Sequence, residues 1–347
     1  MSSLRALRRP AFYAALCTIL FIAGNSLPAT ARSAVSGVRP IELPGLPGAP
    51  ESAVYGIDND GVLVGSSGTA DEPLAVRWSP AGAITRLPMP SGATVSEALD
   101  INGTGVIVGH IDSRAVRWNP GGTITRLTVP AGLTEGYAIA INDKGVTVGD
   151  ALVEGSEDGY HALRWTAAGA VTELATLPGA DTTVATSLSS AGFIGGYVDV
   201  GGLRHAVRWT PEGAITDLGL LPGGTISIAW GIGPTGTAVG GANSPNGSRA
   251  LRWAPNGQVT ILDLLPGGTD ARAVAINAYG TIAGDASTSE GHRHAARWTA
   301  KGITDLGTLP GHLASDIYAI NDCGVCGGFS FDVNGDPHAV KWETTNE

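Results

Sequence analysis

The chain has 347 residues, 43% of them apolar and 15% charged, with a formal net charge of −10. That apolar share over this length supplies a large buried core and excludes intrinsic disorder, while the acidic balance disfavours nucleic acid or an anionic membrane as partner. The 51 Gly and 21 Pro residues fall at regular intervals, as turn punctuation does in a chain of many short strands.

Residues 1–31 read as a secretory signal. Arg5, Arg8 and Arg9 form a basic start, residues 11–24 an apolar run, and Ala29-Thr30-Ala31 a small-residue cleavage site. The apolar run is short for a membrane span, so export to the extracellular side is expected, with a retained, outward-facing N-terminal anchor as the alternative. Loss of the signal removes three positive charges and makes the mature chain more acidic still. Residues 32–37 read as a linker and 38–347 as one domain. Cys17 lies inside the signal, which leaves Cys323 and Cys326 in the exported protein.

From Trp78 to Trp342 one phrase recurs seven times: a small residue, an apolar one, a cation and Trp. It ends at Trp78, Trp118, Trp165, Trp209, Trp253, Trp298 and Trp342, at intervals of 40 to 47 residues. The third unit shows the local pattern. Ala138–Asn142 alternates as a strand, Asp143-Lys144-Gly145 turns, and Val146–Gly149 is a second strand. After a variable loop, His161–Trp165 is a third, and Ala170–Glu173 with Leu174 a fourth. Leu177-Pro178-Gly179 closes the unit with a pair suited to a type II turn. Four short strands per unit of about 44 residues make a β-propeller blade. A β-solenoid repeats at a shorter period, and a β-sandwich needs no equivalent copies.

The chain stops just after the seventh third strand, and Val38–Leu43 with Leu46-Pro47-Gly48 looks like a lone fourth strand. Pairing the two pieces closes a ring and removes its exposed edges. The expected fold is therefore all-β: a seven-bladed propeller of four-stranded antiparallel blades, closed by the N-terminal strand. The His-Ala-apolar-Arg-Trp phrases, preceded by Ile-Asn-x-x-Gly-x-x-x-Gly, resemble the HAF family of bacterial extracellular repeats. The third residue here is Val, Leu or Ala rather than Phe, and His occurs only at His161, His205, His294 and His338. The resemblance implies export and a propeller-like fold, and supplies no catalytic residues.

Several polar groups invite a chemical reading. The cation before each Trp (Arg77, Arg117, Arg164, Arg208, Arg252, Arg297, Lys341) is read as architecture rather than an anion-binding ring, because a charge among packed sheets must be paired. The four repeat histidines, on blades about 10 Å apart, are too distant to share a metal. His292-x-His294 lacks a third ligand. Cys323 and Cys326 flank a tight turn and are expected as a structural disulfide, with free thiols as the alternative. Asp332-Val333-Asn334-Gly335-Asp336 carries part of a calcium-loop pattern without the remaining ligand positions. No cofactor is predicted, and calcium at that loop is the only one with any support.

The loops between second and third strands vary in length, short at residues 111–113 and long at 151–160, and variable loops on a rigid scaffold are where binding sits. The slot after the glycine taken to end the second strand is the most diverse of the repeat: Ser66, His110, Asp150, Tyr197, Gly241, Asp285 and Phe329. Trp230, alone outside the Trp phrase, is on an innermost strand and is expected to fill core, with a channel wall as the alternative. These residues nominate His110, Asp150, Tyr197, Trp230, Asp285 and Phe329 for a ligand site. The expected function is a monomeric binding module for a small molecule, glycan or protein. The alternative is a lyase, cyclase or hydrolase with His110 as acid–base group and Asp150 or Asp285 as its partner.

Overall fold

A computed structural model describes residues 37–344; the signal segment, Cys17 and all but the last residue of the linker lie outside the described residues. Those residues form seven four-stranded antiparallel sheets. Blade one spans residues 51–86, and the innermost strands of blades one to seven are Glu51–Ile57, Ser96–Ile101, Leu133–Ile141, Ala180–Leu188, Ser227–Ile232, Ala271–Ile276 and Ala314–Ile320. In the seventh sheet the fourth strand is Val38–Glu42, paired antiparallel with Pro337–Thr344 so that Glu42 faces Val340. The ring closes by this N-terminal strand.

The core lies between blades and is built on the repeated Trp. Trp78, Trp165 and Trp209 have no exposed surface, and the other four are almost as buried. Burying such a ring contributes roughly 4–6 kcal/mol by area. A buried indole N–H needs an acceptor, and in five blades the loop leading in supplies it, as where Trp78 Nε1 donates to Pro44 O at 2.8 Å, Trp118 to Pro88 O at 2.8 Å and Trp165 to Thr128 O at 2.7 Å. The cation before Trp reaches the following blade. Arg117 donates to Gly145 O, Thr166 O and Ala167 O, Arg208 to Gly236 O, and Lys341 to Pro80 O across the closure. The repeat histidines each meet a carboxylate of their own blade's outer strand: His161–Glu173, His205–Asp217, His294–Asp305 and His338–Glu42, at 2.9 to 3.1 Å.

The asparagine of the Ile-Asn turn does two jobs. Asn142 Oδ1 accepts from Lys144 N and Val146 N, shaping its own turn. Its amide donates to Ser189 O of the next blade at 3.3 Å, as Asn102 does to Asn142 O, Asn277 to Asn321 O and Asn321 to Asp58 O. These clasps join blades two, three and four, and separately six, seven and one.

Inside the third blade the outermost strand, Val171–Glu173, is shorter than the alternation suggests and the two inner strands are longer. The inner two are Leu133–Ile141 and Thr147–Val153, not Ala138–Asn142 and Val146–Gly149. Gly149 does not end its strand. A Cβ on it would meet Tyr137 O at 1.9 Å, and the equivalent glycines of the other six blades are within 1.9 to 2.1 Å of a carbonyl in the same way. The cause is a β-bulge on the innermost strand opposite each glycine: the register jumps from Ala138 to Ala140 in blade three, and at the matching place in every blade. The extra residue tightens the strand and brings its backbone against the partner, so only Gly fits there.

The expected disulfide is absent. Cys323 is an exposed free thiol in the turn, whereas Cys326 starts the next strand as a free, buried thiol in the core with Ala295, Leu306 and Trp342. Burial pushes the Cys326 thiol up to about 12, which keeps it protonated and unreactive. The two side chains serve different environments.

Candidate functional site

Each bulge leaves one residue without a cross-strand partner and turns its side chain off the ladder. Those residues are Tyr55, Leu99, Ile139, Thr186, Trp230, Val274 and Tyr318, and all seven line one central cavity of about 260 Å³. Trp230 thus stands in a channel wall rather than in the core. The channel is apolar for most of its circumference, with a polar sector on blades one to three. There His110 Nε2 and Glu97 Oε2 are 3.0 Å apart, with both residues buried. Tyr55 OH donates to Glu97 Oε1 at 3.4 Å, Ser66 Oγ donates to Tyr55 OH, and the Tyr137 ring meets the imidazole edge-on at 5.0 Å. His110 Nδ1 is buried and makes no hydrogen bond. Burial and the nearby Glu97 carboxylate drive the Tyr55 hydroxyl well above its ordinary pKa, so it remains a donor. Asp100, in the same wall, accepts from Ile141 N at 2.8 Å, and burial raises its carboxyl to about 7.

A second cavity, of about 470 Å³, opens between blades five, six and seven, among the connections from second to third strands. Trp230 belongs to the walls of both cavities. Ile226, Ile228 and Phe331 continue the apolar side, and Arg272, Arg293, Asp270 and His292 are on the polar side. The two arginines are held by carboxylates. Arg272 Nη2 donates to Asp285 Oδ2 at 2.7 Å, and Arg293 grips Asp316 with Nε at 2.7 Å and Nη2 at 2.8 Å. Cross-links of 3.7 Å (Arg293–Asp285) and 3.9 Å (Arg272–Asp316) complete a four-charge box. Burial pushes the Asp316 carboxyl above its ordinary value, against the pull of the Arg293 guanidinium.

The diverse slot is therefore mid-strand and buried, not the start of a loop. His110 and Asp285 reach the two cavities; Asp150, Tyr197 and Phe329 are buried in the blades and line neither. Tyr197 lies beneath the Arg204 guanidinium at 4.2 Å from the ring centre, and Phe329 stacks on Tyr318 at 5.4 Å. His110 and Asp285 belong to blades two and six. The carboxylate that meets His110 is Glu97. Glu97, Arg272, Arg293 and Asp316 escaped the sequence reading, although the strand slot opposite the diverse one, running Ala53, Glu97, Tyr137, Val184, Ile228, Arg272, Asp316, is as varied as its partner.

Among the described residues no group of three or more His, Cys, Asp or Glu side chains is placed to hold a metal ion. In the Asp332 loop, the Oδ1 of Asp332 accepts from Asn334 N and Asp336 N, and its Oδ2 from Asn334 Nδ2, the bonds of a self-contained polar turn.

No family model matches the chain, and no curated protein matches it. Solved structures do. Virginiamycin B lyase from Staphylococcus aureus is 16% identical over 88% of this chain and 98% of its own, with a TM-score of 0.60. Oligogalacturonate lyase in complex with manganese is 13% identical over 90% and 99%, at 0.58. Puromycin hydrolase is 16% identical over 85% of this chain and 54% of its own, at 0.63. At these identities the likeness establishes the propeller fold, a scaffold that carries lyases and hydrolases, and no more.

Proposed function

We propose that the protein is an exported binding module for a small molecule, which it takes into the wide cavity on the irregular-loop face and against the channel past Trp230. The observation that carries this reading is the shared wall. Two cavities, together within the size range of small-molecule sites, meet at one partly buried aromatic residue. Concave, mostly apolar walls with a few polar groups at one end suit a small molecule or a short glycan better than a protein face, which is flatter. Export rests on the signal-like residues 1–31.

A thermal-shift screen of a diverse metabolite library tests it. Hits are expected to raise the melting midpoint of the wild-type chain and to lose that effect in Trp230→Ala. A library that shifts neither protein, or shifts both alike, overturns the reading.

A second reading, catalysis, is favoured by the His110–Glu97 pair. A carboxylate that fixes one imidazole nitrogen leaves the other to move a proton, and pairs of this kind serve general acid–base chemistry in lyases and hydrolases. If the binding screen yields a substrate, turnover should fall by 10²-fold or more in His110→Gln with binding retained. Unchanged turnover removes the catalytic reading and leaves binding intact.

A further inference from the structure

The four-charge box of blades six and seven is absent from the matching places of the other blades, so ring architecture does not require it. The slot of Arg272 is Ala, Glu, Tyr, Val, Ile and Asp elsewhere. Burying two carboxylates is costly unless each is paired, and here both are paired by arginines. Access within the box is unequal. The side chains of Asp285 and Asp316 are 4% and 1% exposed, whereas those of Arg272 and Arg293 are 14% and 18% exposed in the cavity wall. Asp316 stands behind, Asp285 reaches the cavity wall beside the arginines, and the guanidiniums present the larger exposed surface.

We infer that Arg272 and Arg293 form a carboxylate-recognising subsite, and that the ligand is a small organic acid with a planar apolar body lying along Trp230, Ile228 and Phe331. This rests on the small-molecule reading above and adds the ligand's chemical class. A planar guanidinium matches a carboxylate through two parallel N–H donors. Its rotamer is already fixed by the Asp it pairs with, so little side-chain freedom is lost on binding. The buried carboxylates also neutralise the box when the cavity is empty, which lowers the cost of keeping two arginines side by side. A ligand's carboxylate meets the cavity-facing surface of two guanidiniums already held in place, while its apolar body covers the opposite wall. The Asp270 carboxylate of the same cavity has its own partners, Ser248 N and Thr269 Oγ1.

Titration calorimetry of the mature chain with 2-naphthoate and its neutral counterpart 2-naphthamide tests the inference. The acid is expected to bind at least ten-fold more tightly than the amide. Arg272→Gln with Asp285→Asn, which removes one opposite pair together, should abolish that preference. Arg293→Lys, which keeps the charge and loses the fork, should weaken the acid several-fold and spare the amide, and serves as the test should the double variant not fold. Trp230→Ala should weaken both probes alike. Equal affinities for acid and amide in the wild type, with both lost in Trp230→Ala, overturn the carboxylate subsite and leave the small-molecule site standing. Binding of neither probe also overturns the subsite, and the library screen then decides the broader reading.

Discussion

The rim and the hub of this ring share one sevenfold backbone and use it in opposite ways. At the rim, five of the seven Trp donate to a loop carbonyl at 2.7 to 2.8 Å and every repeat histidine finds a carboxylate. At the hub, the bulge repeats in all seven blades, yet the residue it turns into the channel is Tyr, Leu, Ile, Thr, Trp, Val and Tyr. Where side chains must fit one neighbour, they converge. Where the backbone alone fixes the geometry, they are released to vary, and a site becomes affordable to evolution without disturbing closure.

The largest test of that contrast compares two tryptophans. Trp165→Ala empties a rim site with no exposure and should cost about 3–5 kcal/mol. Trp230→Ala opens a hub site that already faces a cavity and should cost about 1 kcal/mol or less. Denaturant unfolding of both variants reads the difference, and equal losses would break the contrast.

Next in size is the hinge between rim and hub. Gly149→Ala places a Cβ 1.9 Å from Tyr137 O, so the bulge must shift, at roughly 2–3 kcal/mol. Gly169, in an exposed turn with φ 89° and nothing within reach of a Cβ, should lose only about 1 kcal/mol on the same change, through backbone strain. A loss at Gly149 no greater than at Gly169 would mean that the bulge is not tight.

The smallest effect sharpens the hub alone. The Asp100 carboxyl is raised by burial from 3.8 to about 7, so between those values the folded chain holds a proton that the unfolded chain has released. The stability this group contributes is fully present below pH 4 and is lost as pH rises through 7. Asp100→Asn, neutral throughout, should therefore gain on the wild type as pH rises from 5 to 8, read as a narrowing or reversal of the difference in melting midpoints. A difference independent of pH would return Asp100 to the ordinary carboxylate range.

Much of the fold was legible because its causes are periodic. The Trp phrase counted the blades, and the unpaired ends named the closing strand. The inner geometry was not legible, because Gly in strand two signals either a turn or a close approach, and composition favours the turn. Taking Gly149 as a strand end placed His110, Asp150 and Asp285 in loops. Only the register, with its jump opposite each glycine, shows them mid-strand. Glu97 was hidden for a related reason: its link to His110 runs across a hairpin pairing whose offset the bulge changes by one. Cys323 and Cys326 were drawn together by sequence nearness alone.

The asparagine clasps have a mechanical consequence. They tie the ring into two arcs, two-three-four and six-seven-one, and blade five, with Gly233 where the others carry Asn, Asp or Ser, stands between them without a clasp on either seam. The two arcs also meet without such a clasp between blades one and two, where Asp58 holds the matching place, so three seams of the described ring go without one and two of them flank blade five. Blade five bears Trp230 and one wall of the wide cavity, so the cavity stands where the asparagine ties are missing on both sides. The seam toward blade four is held instead by Thr186 and Arg208, which donate to Ala229 O and Gly236 O.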